Sequence, residues 1–255
     1  MKDKLRVLLI ASTLLSNAAA FADGILATES TAWHPVIGAG GGVAITTNLG
    51  QSQTFPIQNP VTDEYYIYSP TSQTQTRGMF EVFLGTEHPV FSNWLLQGGL
   101  AYSQAGTYQV KGNFTQGADV ESANQFTYKY HVIARELLAQ AKLMRPYDDK
   151  YYPYVLVGIG GSFNRATSYA TNTPPFLTLT REYANNTSGS FAYRVGVGAD
   201  MNIMQHMRLG LAYRFSGLGN ANLGVATIDD TPVSGALSQS NVYANEVLLQ
   251  LTYVI

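Results

Sequence analysis

The chain has 255 residues, with no cysteine, 24 glycines, 17 tyrosines and only 13% charged residues, for a formal charge of −2. The lack of cysteine excludes disulfides, thiolate metal sites and cysteine nucleophiles, and the slight acidity gives no electrostatic footing for nucleic acid. A chain of this length suits one large sheet in a single domain.

Lys2, Lys4 and Arg6 precede an apolar run from Val7 to Leu15, and Ala20-Phe21-Ala22 puts small residues at both positions a signal peptidase reads. The run is shorter than the roughly 20 residues of a spanning helix. Residues 1–22 are therefore expected to be a cleaved export signal and 23–255 the mature domain, with 23–32 a short lead-in. Removing three basic residues and one acid moves the formal charge from −2 to −4.

Eight segments then alternate with a period of two, the period of a strand. In the first, Ile37, Ala39, Gly41, Val43 and Ile45 oppose Gly38, Gly40, Gly42 and Thr46. In the second, Phe80, Val82 and Leu84 oppose Glu81 and Gly85. The third sets Trp94, Leu96, Leu100 and Tyr102 against Gln97, Gly99 and Ser103.

The fourth changes phase. Tyr128, Tyr130 and Val132 form one apolar face, while beyond Arg135-Glu136 the apolar residues are Leu137, Ala139, Ala141 and Leu143. A β-bulge there would reconcile the two phases, and a short amphipathic helix over 132–144 is the competing expectation. The fifth segment carries Val155, Val157, Ile159 and Phe163, the sixth Phe191, Tyr193, Val195 and Val197, and the seventh Leu209, Leu211, Tyr213 and Phe215. The eighth, Glu246 to Ile255, places Val247, Leu249, Leu251, Tyr253 and Ile255 opposite Glu246, Gln250 and Thr252.

Links 88–93, 145–152 and 204–206 are short, whereas 49–76, 105–125, 166–188 and 217–240 are long and polar. Long and short alternate strictly. A soluble β-sandwich has the same strand period but no reason to sort its loops, whereas an all-β, eight-stranded antiparallel transmembrane barrel has short periplasmic turns and long extracellular loops. Trp33, Trp94, Tyr152 and Tyr253 fall near the short-turn ends and Tyr102, Tyr128, Phe163, Phe191 and Phe215 toward the long loops, as two interfacial aromatic girdles would require.

On this reading Glu81, Arg135, Glu136, Lys142, Arg194, Asp200, Arg208, Arg214 and Glu246 all face the lumen. An eight-stranded barrel is just wide enough for side chains to fill, and buried charges persist there only when paired, so a charged plug is expected, with a narrow water path as the alternative. Strand adjacency makes Glu246 the expected partner for an arginine of the seventh segment. Of four histidines, His131 alone falls on the outer half and is expected to point inward; with no Gly-x-Ser-x-Gly or His-Glu-x-x-His motif, no catalytic, metal or cofactor site is expected and the chain is read as a non-enzyme. Ala39-Gly40-Gly41-Gly42 lacks the Lys-Ser/Thr and helix of a phosphate loop and reads as close strand packing.

Export signal, strand pattern, four polar loops and terminal strand together resemble the opacity-type outer-membrane proteins and the membrane domain of OmpA, over essentially all of 23–255. The resemblance implies a Gram-negative outer membrane, contact with its lipid and lipopolysaccharide, and recognition of the last strand by the outer-membrane assembly machinery through Tyr253 and Ile255. Ile255 departs from the Phe that usually ends these chains. The expected role is structural and surface-interacting, adhesin-like, with a host or surface ligand at the loops; a small porin is the alternative, and a membrane-embedded hydrolase a more distant one.

Overall fold

In the computed structural model, residues 33–47, 49–57, 64–91, 93–117, 124–148, 150–172 and 181–255 are described. The expected export signal, the lead-in 23–32 and residues 173–180 of the expected loop 166–188 lie outside the described residues.

The strands are β1 (His34–Thr46), β2 (Gln53–Ile57), β3 (Glu64–Pro70), β4 (Gln75–Phe91), β5 (Trp94–Ala105), β6 (Tyr108–Gly117), β7 (Asn124–Ile133), β8 (Arg135–Met144), β9 (Tyr151–Thr171), β10 (Glu182–Tyr183), β11 (Asn186–Met204), β12 (Met207–Asn222), β13 (Ala226–Ile228), β14 (Thr231–Val233) and β15 (Ser238–Val254). Eight of them run in the order β11, β12, β15, β1, β4, β5, β8, β9, and β9 pairs back onto β11, so this antiparallel sheet closes on itself. The first and last strands make one seam, from Val36 opposite Val254 to Thr46 opposite Ala244. Close approach is visible there: a Cβ on Gly42 would lie 2.0 Å from the Val247 carbonyl oxygen.

The outward residues Val155, Val157, Ile159, Val195, Val197, Leu211, Leu249 and Leu251 are exposed although apolar. On β9 this band runs from Tyr151 to Phe163, roughly 40 Å of strand and about 28 Å of height at a 45° tilt, which matches the apolar band of a barrel in lipid.

Beyond the band β9 leaves β8 and pairs with β7, and the sheet continues through β6 and β3 to β2. Inside this extension lie Tyr66, Tyr68, Tyr108, Val110, Phe114, Tyr128, Tyr130 and Val132, all buried. Tyr68 stacks on Phe114 at 5.2 Å and meets Tyr128 edge-on at 5.2 Å. Outside it lie the exposed Lys111, Asn113, Thr127 and Lys129. The side of the wall that is apolar has exchanged places, because the outer surface here meets water instead of hydrocarbon.

That exchange corrects the expected fourth segment. Inward parity holds without interruption through Tyr128, Tyr130, Val132, Ala134, Glu136, Leu138, Gln140, Lys142 and Met144, all buried. No bulge resets the phase and no helix forms; β7 and β8 are separate strands meeting at Ala134, whose carbonyl accepts from the Ala105 amide at 3.1 Å.

Two tests follow from this architecture. Closed barrels resist detergent, so the folded protein is expected to migrate differently on a denaturing gel before and after boiling; one mobility in both lanes would count against closure. Burial also pushes the Tyr128 phenol from its ordinary 10.0 up to about 12 and moves Tyr68 and Tyr183 in the same direction. A folded-state pKa above the unfolded one stabilises fully below pH 10 and is lost as pH rises through about 12. Tyrosinate absorbance should therefore show a late stage, above about pH 12, that coincides with loss of near-ultraviolet dichroism. Complete ionisation with the dichroism intact would contradict the buried aromatic core.

Candidate functional site

The inward positions of the membrane-spanning part are polar, and in three tiers they are joined across the lumen. The tier nearest the long loops centres on two arginines. Arg194 on β11 ion-pairs with Glu81 on β4 and Glu136 on β8, lies 3.7 Å from Glu246, and donates to Ser216 Oγ at 3.1 Å, Ser103 Oγ at 2.9 Å and Gln140 Oε1 at 3.3 Å. Arg214 on β12 donates to both oxygens of Glu81 at 2.8 Å and, through Nε, to Glu246 Oε2 at 3.1 Å. The Ser103 hydroxyl donates to Glu136 Oε1 at 2.6 Å.

These contacts tie β4, β5, β8, β11, β12 and β15 together. On β1 the inward residues at this depth are Gly40 and Gly42, which fill no lumen space. Gly196 performs the same service for Arg214, whose Cγ would lie 2.8 Å from a Cβ there.

In the middle tier Lys142 Nζ donates to Gln250 Oε1 at 2.8 Å, lies 3.5 Å from Asp200 Oδ2 and sits 4.5 Å above the Tyr154 ring. At the short-turn end Arg208 forms a two-toothed pair with Glu87, at 2.6 and 3.0 Å, and lies 4.2 Å over the Tyr152 ring, whose hydroxyl accepts from Asn202 Nδ2 at 2.9 Å. A two-pronged guanidinium–carboxylate contact fixes orientation as well as charge.

Eight of the nine expected lumen charges occupy the lumen. The ninth, Arg135, is a correction: it is half-buried on the face opposite Glu136 and donates to Gln104 Oε1 at 2.9 Å. Glu87 is a lumen charge that sequence reasoning missed, although its six-residue spacing from Glu81 put it on the same face.

Among the expected girdle residues, Trp33, Tyr102, Phe163, Phe191 and Tyr253 are exposed. Trp33 stacks on His88 at 4.7 Å, Trp94 is half-buried with the Arg145 guanidinium 5.8 Å from its ring, and Phe215 packs on Tyr193 and Tyr243 at 6.4 and 5.6 Å. Tyr128 and Tyr152 are corrections, since both are buried inside. Strand parity governs them, not residue type: Tyr152 shares its face with Tyr154 and Leu156, and Tyr151 is the exposed neighbour. His131 is likewise corrected. It lies on the face opposite the buried Tyr130 and Val132, across from Gln109 and Thr167. Tyr253 lies near His206, with ring centroids 6.0 Å apart, and the exposed Ile255 donates its amide to Pro35 O at 2.9 Å.

A second missed group closes the long-loop end. Arg181 is buried with its guanidinium 4.3 Å from the Phe55 ring and 5.8 Å from Tyr183, and it donates to the carbonyls of Ser234 and Gly235. It sits in a loop, where strand parity says nothing, and no motif marks it.

Removing Arg214 leaves Glu81, Glu136 and Glu246 facing the single guanidinium of Arg194, a loss on the order of 3–5 kcal/mol in a dry site. Arg214→Gln should accordingly lower the urea midpoint of the folded barrel well below that of Asn186→Ala, an exposed residue. Equal midpoints would mean that the tier contributes no net stability.

The outer membrane protein beta-barrel domain model matches residues 8–253, and the chain belongs to that family. No curated protein matches the sequence. Among solved structures the chain is similar to the outer membrane protease OmpT from Escherichia coli, at 10% identity over 89% of this chain and 99% of that one with a TM-score of 0.48. It is also similar to OprG from Pseudomonas aeruginosa, at 10% identity over 87% and 96% with a TM-score of 0.47. Ail of Yersinia pestis, the attachment invasion locus protein, matches at 11% identity over 86% and 98% with a TM-score of 0.31. The chain is an eight-stranded barrel of the bacterial outer membrane, with its long loops extracellular and its short turns periplasmic.

Proposed function

We propose that this outer-membrane barrel is a non-conducting scaffold whose function lies at its extracellular surface, as an adhesin-like, surface-interacting protein. The observation that carries this reading is the double filling of the interior. The ion-paired tiers span the lumen in the membrane, and the aromatic core of Tyr66, Tyr68, Tyr128 and Tyr130 fills it above. Chain that would otherwise be loop is built into a paired extension, β2, β3, β6 and β7, that presents a wide polar face to the exterior. Loops ordered to this extent are a common means of holding binding groups in place.

The remaining assignments belong to the same proposal. Residues 1–22 direct export and are removed, the apolar band and exposed aromatics contact lipid and lipopolysaccharide, and Tyr253 with Ile255 present the last strand to the assembly machinery. The proposal includes no hydrolase: His131, the candidate base on the outer half, lies on the outer face of the extension.

A narrow, wet lumen is the second reading, favoured by one observation. Both amide atoms of Gln97, together with Gln140 Nε2 and Asp200 Oδ1, are buried with no hydrogen-bond partner among the described residues, and water would satisfy them. Planar-bilayer recording decides between the two. The purified, folded barrel is expected to stay silent, whereas stable stepwise currents would replace the scaffold by a small porin.

A further inference from the structure

On the extension's outer face Lys111 of β6 stands directly opposite Lys129 of β7 in the antiparallel register, and both are exposed. Like charges facing each other across a strand pair are destabilising. Lysines often guard a free sheet edge against unwanted pairing, but that explanation fails here. β6 is paired on both sides, by β3 and β7, and β7 by β6 and β9. Among the described residues neither lysine has an ion-pair partner.

Lys111 and Lys129 line a cleft of about 660 Å³ together with Thr71, Gln73, Asn113 and Thr127. Its size lies in the range of roughly 300–1,000 Å³ in which small ligands are held. We propose that this cleft binds an anionic saccharide, with the lysines taking sulfate, phosphate or carboxylate groups and the neutral side chains the sugar hydroxyls. This deepens, and rests on, the surface-interaction reading.

Three observations choose that ligand over its neighbours. Two facing cations and several short-range donors and acceptors suit a chain carrying both charge and hydroxyls. A single-stranded nucleic acid would need exposed rings for base stacking, and the lining tyrosine, Tyr128, is buried. A lipid headgroup is too low. Lys129 pairs with Ala170, seven residues past Phe163 at the top of the apolar band, so the lysines stand roughly 16 Å above it at the same 45° tilt. The headgroups next to the hydrocarbon therefore lie below the cleft, and the saccharide proposed is one from outside the cell, with lipopolysaccharide as the contrary outcome of the test.

The test titrates the folded barrel, in neutral detergent, with a dextran sulfate oligosaccharide and with unsulfated dextran. Sulfated dextran alone is expected to bind, more weakly as salt rises. The variant Lys111→Gln/Lys129→Gln should weaken it by about tenfold or more, corresponding to loss of charge-assisted contacts, while keeping the gel shift of a folded barrel. Lys150→Gln, at the periplasmic end, should change nothing.

Unchanged binding by the double variant, an equal loss in Lys150→Gln, or equally tight binding of inorganic sulfate would overturn the proposal. So would binding confined to phosphorylated lipopolysaccharide in a reconstituted bilayer. Cell adhesion that persists in the double variant would remove this site and leave the surface-interaction reading intact. Stepwise bilayer currents together with lysine-dependent dextran sulfate binding would remove that reading and leave the site.

Discussion

Backbone amides and carbonyls in hydrocarbon have no water to bond, so a sheet that crosses a membrane must pair every one of them and leave no edge. In this chain the seam between β1 and β15 and the return of β9 onto β11 meet that requirement with eight strands. Eight strands enclose a space that side chains fill. Once the outward positions are given to Val, Leu, Ile and aromatics, the inward ones receive the polar residues, and their charges must find one another inside. Arg194 and Arg214 are thus consequences of closure as much as contributors to it: each reaches a carboxylate on a strand that is not its sequence neighbour.

The wall does not change its geometry where it leaves the membrane; the medium around it changes. Along β9 the outward residues pass from Val155, Val157 and Ile159 to Arg165 and Thr167, and along β7 and β8 the inward ones pass from Lys142 and Glu136 to Tyr130 and Tyr128. In lipid the apolar side faces out, and in water it faces in, as in any soluble sheet. The aromatic core above the membrane packs under paired strands where the sequence pattern alone indicates polar loop. It also gives the extracellular face a paired backbone on which facing side chains such as Lys111 and Lys129 are held at strand spacing.

The lumen is filled twice, by ion pairs and then by rings. The inward glycines contribute to this by absence: Gly196 leaves room for Arg214, and Gly198 for the Tyr154 ring, whose hydroxyl would lie 2.6 Å from an added Cβ. Arg181 serves the cap differently. Held against Phe55 and bonded to the carbonyls of Ser234 and Gly235, it joins the loop before β15 to β2 on the far edge of the extension.

The sequence by itself determined the strand period, the number of membrane strands, the sorting of loops by length and the inward face of seven segments, because in lipid each side of a strand has one solvent and side-chain polarity reports it directly. Eight of the nine luminal charges were legible for that reason, and Glu87 was legible by parity even though it was overlooked. Tertiary structure decided the rest. Tyr128, Arg135 and His131 were misplaced because polarity was read as orientation across a point where the outer solvent changes from lipid to water, and only the paired extension of β7, β6, β3 and β2 reveals where that point lies. Tyr152 was misplaced because a strand-end aromatic suits a girdle by type, while its neighbours on β9 fix its direction. Arg214 meeting Glu246 was legible from the adjacency of the last two membrane strands, but the other arginine–carboxylate pairs, and that Lys111 faces Lys129, depend on register across the closed sheet, which no single segment carries.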